Sequence, residues 1–143
     1  MVLDGDNLRC GLNRDLGFSA KDRDENVRRT AETAALMAEA GLITIVSLIS
    51  PLRAERENAR RIANDVTFLE VFVSAPLSLC EARDPKGLYR RARRGEIPNF
   101  TGISAPYEPP ADPDLTVITE DQTIAESASH LIDRLLSLSA WNS

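Results

Sequence analysis

Leu3-Asp4-Gly5-Asp6-Asn7-Leu8-Arg9 is the stretch that decides the fold. A short apolar lead-in breaks into two carboxylates around a glycine, then an amide and an arginine. That order suits the carboxyl end of a parallel strand, where open α/β sheets place their ligands. Gly5 permits a sharp turn or a close backbone approach. Asp4 and Asp6 can hold a metal-bound water, take a proton or accept from a ribose hydroxyl, and Arg9 can fork onto a phosphate or sulfate. The plain alternative is an Asp/Gly/Asn turn that only ends a strand.

The chain around this stretch alternates strand and helix. Ser19-Ala-Lys-Asp22 reads as a helix N-cap with an acid three positions on. The helix that follows has an apolar face at Val27, Ala31, Ala34, Ala35 and Ala38, and Gly41 stops it. Leu42 to Ile49 is nearly all apolar and β-branched, so it predicts a parallel strand buried on both faces. Residues 54–64 predict a second amphipathic helix with Ala59, Ile62 and Ala63 on one side. Phe68 to Val73 predicts a strand closed by Ala75-Pro76, 77–83 a short helix broken at Asp84-Pro85, and 86–94 a strongly basic helix. Ile97 to Pro113 has no period and many Pro, Gly and Asn, and a loop of that length suits a lid. Leu115 to Ile118 predicts a last short strand. Ile124, Ala128, Leu131, Ile132 and Leu135 form the clearest helical stripe. This alternation implies an α/β fold with a parallel sheet and right-handed crossovers.

Composition narrows the function. The 143 residues fit one domain, with 43% hydrophobic and 27% charged residues. A net charge of −5 argues against general nucleic-acid binding. No apolar run approaches the roughly 20 residues that span a bilayer, and no signal peptide is evident, so the expected location is cytoplasmic, with no membrane partner. Cys10 and Cys80 lack metal-ligand spacing and read as reduced cytosolic thiols. No metal-ligating residue set is expected. The lone histidine, His130, reads as a surface or half-buried residue.

Four pieces fall at strand ends or in loops. The first is Asp4 to Arg9. The second is Phe18 with Arg23, Asn26 and Arg29. Phe18 faces Arg23 at the matching helix position, so it is no hydrophobic staple and is available to stack on a base. Arg23 and Asn26 suit an anion, with a solvated helix face as the alternative. The third is Ile49-Ser50-Pro51 with Arg53; Ser50 either donates to a phosphate or caps the next helix. The fourth runs from Asp84 to Gly102, with five cations between 86 and 94 in an acidic chain, a pattern that favours polyanion capture over a plain charged surface.

Together, LDGDNLRCGLNRDLGFS, RDENVRR, ISPLRAERENAR, DPKGLYRRARRGEIPNFTGI and PYEPP resemble the adenylyl-sulfate kinases (APS kinases), a family of P-loop phosphotransferases, from Val2 to about Leu138. The resemblance implies a three-layer α/β/α fold and phosphorylation of the 3′-hydroxyl of adenosine 5′-phosphosulfate (APS), in sulfate assimilation. MgATP is the implied co-substrate, bringing the Mg2+. Asp4 would orient or deprotonate the 3′-hydroxyl or hold the magnesium water shell. Asp6, Asn7, Arg9, Phe18, Arg23, Asn26, Ile49, Ser50, Lys86 and Phe100 would line the substrate pocket, with Phe18 and Phe100 sandwiching the adenine. Ser50 matches the serine labelled in the family as a phosphoserine intermediate, although in-line transfer would need it only for binding. Arg90, Arg91 and Arg93 would lie in a lid over about 84–113 that closes on the nucleotide. Cys10 departs from the histidine or polar residue common there. A homodimer and a fusion to ATP sulfurylase are the implied forms of assembly.

The family pattern opens with a strand, a phosphate loop G-x-x-x-x-G-K-S/T and a helix, none of which is found in this sequence. Its only lysines are Lys21 and Lys86, and neither follows a glycine. That loop supplies the amides and the lysine that cradle the β- and γ-phosphates. The expectation is therefore a kinase domain truncated at its N-terminus: a gene fragment, a misplaced start, or the rear of a longer sulfate-activating protein. Loss of the first, central strand would expose strand edges. The chain alone would have little kinase activity. The alternatives are a remnant that binds APS without transferring phosphate and, less well matched, another P-loop kinase of the nucleoside or shikimate type.

Overall fold

Val2–Asp4 forms strand β1, which runs parallel to β2 (Ile45–Ser47) with Val2 opposite Ile45, Leu3 opposite Val46 and Asp4 opposite Ser47. Leu3 alone of these six residues is buried. A computed structural model describes residues 1–138; the tail Ala140-Trp141-Asn142-Ser143 lies outside the described residues. The chain forms two compact units, Met1–Phe68 with Ser104–Pro109, and Leu69–Ile103 with the residues from Pro110 onward.

In the first unit, α1 (Gly5–Cys10) follows β1 directly. Helix α2 (Ala20–Glu39) begins as the sequence predicts: the Ser19 hydroxyl accepts from the Asp22 amide at 3.1 Å. It buries Val27, Ala31 and Ala35. It closes at Gly41, which takes a left-handed φ of +85°. There the Gly41 amide donates to Ala38 and the Leu42 amide to Met37, which uses up two end carbonyls. Helix α3 (Arg53–Ile62) packs on α2 and buries Glu55, and Ala63 is buried just after it.

The second unit holds β3 (Val71–Ser74), α4 (Leu77–Arg83), α5 (Leu88–Arg93), β4 (Leu115–Ile118) and α6 (Ile124–Leu136). β3 and β4 are parallel, with Val73 opposite Val117. The parallel pairing and the order of strands and helices are those predicted, except that helix α1 stands where the sequence reads as a turn or binding stretch at the end of a strand.

Two sequence expectations about strands are corrected. The strand predicted over 42–49 shrinks to Ile45–Ser47, and all three residues are exposed. A strand buried on both faces needs a sheet wide enough to carry helices on both sides; β2 has one ladder neighbour, in a two-stranded sheet. The strand predicted from Phe68 starts at Val71 instead, where its ladder partner β4 begins at Leu115; the Phe68 ring lies under the Arg60 guanidinium, 4.8 Å away. The helical stripe read over 124–135 forms as α6, and it is largely exposed: Ile124 is 91% exposed, and only Leu131 and Leu135 of the stripe are half-buried.

Two expected outcomes follow from α2. Ser19→Ala removes the only side-chain cap of that helix and should lower stability by about 1 kcal/mol in urea denaturation. Glu25 is held at a pKa of about 2 by hydrogen bonds from Arg28 and Arg29, below its usual 4.5. Because the folded pKa is depressed, its contribution is complete above pH 4.5 and fades as pH falls toward 2. Glu25→Gln should make the acid limb of stability against pH shallower in that window.

Candidate functional site

The end of β1 does more than turn. Oδ1 of Asp4 accepts from the amides of Asp6 and Asn7, at 3.1 and 3.2 Å, and so caps α1. Among the described residues Oδ2 accepts no hydrogen bond, so one oxygen of the half-buried carboxylate stays open. At Gly5 the two strand ends come close: a methyl there would sit 2.7 Å from Leu48 Cδ2, forcing that side chain to shift, and in ordinary contact with the Ser47 carbonyl at 3.4 Å. Asp6 and Asn7 are exposed on the first turn of α1.

Residues 11–19 form a loop pinned from three directions. Arg29 forks onto Asp15 with bonds of 2.8 and 2.9 Å and also donates to Glu25 at 2.8 Å. The buried Asn13 donates to the Asn26 side chain at 3.0 Å. Arg9 donates through Nη1 to the carbonyls of Leu16 and Gly17, at 3.2 and 2.9 Å. This bracing presents Phe18, which is 62% exposed. The Arg9 guanidinium lies 4.4 Å and that of Arg23 5.9 Å from its ring centre. An exposed aromatic ring with two cations close to it is a surface for a flat ring that carries an anion. Burial lowers the Arg23 pKa from its ordinary value, and repulsion from Arg9 adds to it.

Beyond β2, Ile49 is 64% exposed and Ser50 takes a φ of +40°, rare for a residue with a side chain. Ser50 does not cap α3; that position is Leu52, whose amide donates to the Glu55 carboxylate at 3.3 Å. This removes the capping role left open by the sequence. Glu55 is the residue that sequence reasoning missed. Burial pushes its carboxyl up, against the Leu52 amide, with Asp24 raising it further and Arg23 and Arg56 lowering it. The only signal was an acid three residues into the helix, which also fits an exposed capping box.

In the second unit, Asp84 organises the basic helix. Its carboxylate accepts from the amides of Tyr89 and Arg90, both at 3.1 Å. Desolvation raises its pKa, but the amides of Arg90, Tyr89 and Leu88 outweigh it and the carboxyl falls below its usual range. Arg93 pairs with Glu81, Arg91 and Arg94 with Glu96. The cationic run read from sequence is thus half neutralised by its own neighbours. Arg90 and Arg93, with Arg83, Asp84 and Tyr89, line a cavity of about 430 Å3. Lys86 is exposed, and the Phe100 ring packs edge-on against Tyr89 at 5.0 Å.

The structure therefore gathers Asp4, Asp6, Asn7, Arg9, Phe18, Arg23, Asn26, Ile49 and Ser50 in the first unit, and Lys86, Arg90, Arg91, Arg93 and Phe100 in the second. The 97–113 loop is divided: 104–109 belongs with the first unit. Among the described residues no cluster of three or more His, Cys, Asp or Glu could hold a metal ion, and no helix is long and apolar enough to cross a membrane.

Residues 1–118 match the family profile described as adenylylsulphate kinase. The chain belongs to the adenylyl-sulfate kinase family. It is 55% identical over 141 residues to a probable adenylyl-sulfate kinase of Halalkalibacterium halodurans, covering 98% of this chain and 67% of that one. It is 54% identical over 142 residues to the adenylyl-sulfate kinase of Shewanella pealeana, covering 99% and 69%. Among solved structures it is similar to the Mycobacterium tuberculosis APS kinase in complex with AMPPNP and APS, at 53% identity and a TM-score of 0.92, over 95% of this chain and 79% of that one. A hexameric APS kinase from Thiobacillus denitrificans is similar at 28% identity and a TM-score of 0.68, over 95% and 22%. The fold is thus that of the P-loop kinases of this family, and the family's reaction class is phosphoryl transfer by a kinase.

The Ser50 backbone yields an expected outcome. Ser50→Gly and Ser50→Ala both lose the hydroxyl, but only glycine accepts the positive φ freely. The glycine variant should be the more stable of the two by about 1 kcal/mol, read by denaturant unfolding.

Proposed function

We propose that residues 1–143 are part of an APS kinase domain whose first unit binds APS, and that the reaction it serves is transfer of the γ-phosphoryl of MgATP to the APS 3′-hydroxyl. The observation that carries this reading is the exposed Phe18 ring flanked by Arg9 and Arg23 on a braced loop. Phe18 stacks the adenine, and Phe100 is a further substrate-binding residue, carried by the second unit. Arg9, Arg23, Asp6, Asn7, Asn26 and Ile49 contact the nucleotide and its sulfate, and Lys86 joins them when the lid, about 84–113, closes. The open oxygen of Asp4 orients the 3′-hydroxyl or takes its proton, and Ser50 binds rather than forming a phosphoserine, since in-line transfer needs no covalent step. Arg90, Arg91 and Arg93 act from the lid on the phosphates. For Arg91 and Arg93 this means exchanging Glu96 and Glu81 for phosphate.

Mg2+ enters with ATP as part of the co-substrate. The open Asp4 oxygen suits a magnesium-bound water, and Mg2+ is commonly held by one or two carboxylates together with substrate phosphates. The 143 residues contain no G-x-x-x-x-G-K-S/T sequence. The amides and lysine of such a loop are the usual hold on the β- and γ-phosphates. This favours APS binding over turnover for the chain as it stands. A homodimer and a fusion to ATP sulfurylase remain the proposed forms of assembly, with a cytoplasmic location.

Calorimetry with APS and with ATP, each alone, tests the reading. APS should bind and ATP should bind weakly; Phe18→Ala should weaken APS by about tenfold or more, as loss of one stacking face does. A folded chain that takes up no APS would refute it. Rapid 3′-phosphorylation of APS by the same chain would refute the claim of low activity and leave the binding claim standing.

A further inference from the structure

Residues 50–56 and the segment 104–109 are knitted together within the first unit. The Arg53 amide donates to the Glu108 carboxylate at 2.8 Å, and Arg53 Nε to the Pro109 carbonyl at 2.9 Å. The Glu108 amide donates back to the buried Pro51, at 2.8 Å. At the centre is Arg56. Its Nη1 donates to the Ser50 carbonyl at 2.6 Å and its Nη2 to the Glu108 carbonyl at 2.7 Å. The two carbonyls come from segments more than 50 residues apart, joined by the two prongs of one planar group.

The Ser50 carbonyl belongs to the residue with φ of +40°. A non-glycine residue leaves that region unless its surroundings over-determine it. A charged hydrogen bond to its carbonyl is such a constraint, and so are the neighbouring bonds of Pro51 and Leu52. A lysine could reach one of the two carbonyls as a point charge, but it lacks the fork.

We propose that Arg56 is a positioning residue: by gripping the Ser50 and Glu108 carbonyls together, it fixes the left-handed turn that presents the Ser50 hydroxyl and anchors the carboxyl-terminal end of the 97–113 loop. The proposal rests on the reading that Ser50 contacts APS. Arg56 itself touches no reacting atom in this account. It ties the lid's rear end to one wall of the binding site, so that the two are ordered as a unit.

The test uses the full 143-residue chain with two measurements. Amide hydrogen exchange without nucleotide reads the clamp, and calorimetry with APS reads its consequence. In Arg56→Gln, exchange around residues 48–53 and 104–109 should speed up together, and APS should bind about tenfold more weakly, the effect of losing one charged hydrogen bond. Arg56→Lys should restore neither, and it supplies the same two readings if the glutamine variant does not fold. Phe18→Ala should weaken APS binding without changing exchange in either segment. Unchanged exchange in Arg56→Gln overturns the proposal. So does APS affinity within twofold of the unsubstituted chain, or full rescue by lysine, which would reduce Arg56 to a charge. If exchange responds but the unsubstituted chain binds no APS, the clamp is real and the APS reading has failed, taking the presenting role of Arg56 with it.

Discussion

The parallel pairing of Asp4 with Ser47 is the constraint on which the first unit depends. Because the strands run the same way, both chains leave the ladder at one end. One exit becomes the capped start of α1 and the other becomes the Ser50 turn. An antiparallel pairing would send the two exits to opposite ends. The glycine at position 5 lets the exits come close. Every candidate residue of this unit is then hung from one of the two exits or from the loop and helix between them.

That intervening segment shows how many polar side chains go into bracing one loop. Arg29, Asn13 and the Nη1 atom of Arg9 all hold the loop, and none needs a ligand to do so. The result is an aromatic ring left in water at the tip of a rigid support. Preorganisation of this kind reduces the ordering cost of binding. The basic helix of the second unit follows a different logic, since Glu81 and Glu96 keep Arg91, Arg93 and Arg94 engaged in ion pairs.

Much of this was legible in the sequence. The Ser19 cap, the Gly41 stop and the bounds of β4 depend on local rules, and local rules were enough. The Asp4 to Arg9 stretch and the unusual setting of Phe18 could also be singled out from residue types alone. The 42–49 strand and the α6 stripe could not be judged in this way. Their pattern reports a preference for burial, but burial depends on what lies alongside, and β2 has one strand for a neighbour. Arg56 and Glu108 were illegible for a related reason: two residues 52 apart become partners only through the tertiary fold. Lys86 and Phe100 fall in the basic, loop-rich region read from the sequence, and Phe100 makes a T-shaped ring contact with Tyr89 that no local pattern signals.

The positive φ at Ser50 sets two filters on one codon. Backbone geometry alone admits glycine readily and asparagine or aspartate with some ease, and it disfavours threonine and valine, whose branched side chains crowd that conformation. A requirement for a hydroxyl admits serine and threonine. Serine is the residue that satisfies the hydroxyl filter at the lower steric cost. Drift at this position toward glycine would therefore signal that the turn had been kept while its hydroxyl had lost its use, whereas drift toward threonine would signal the reverse.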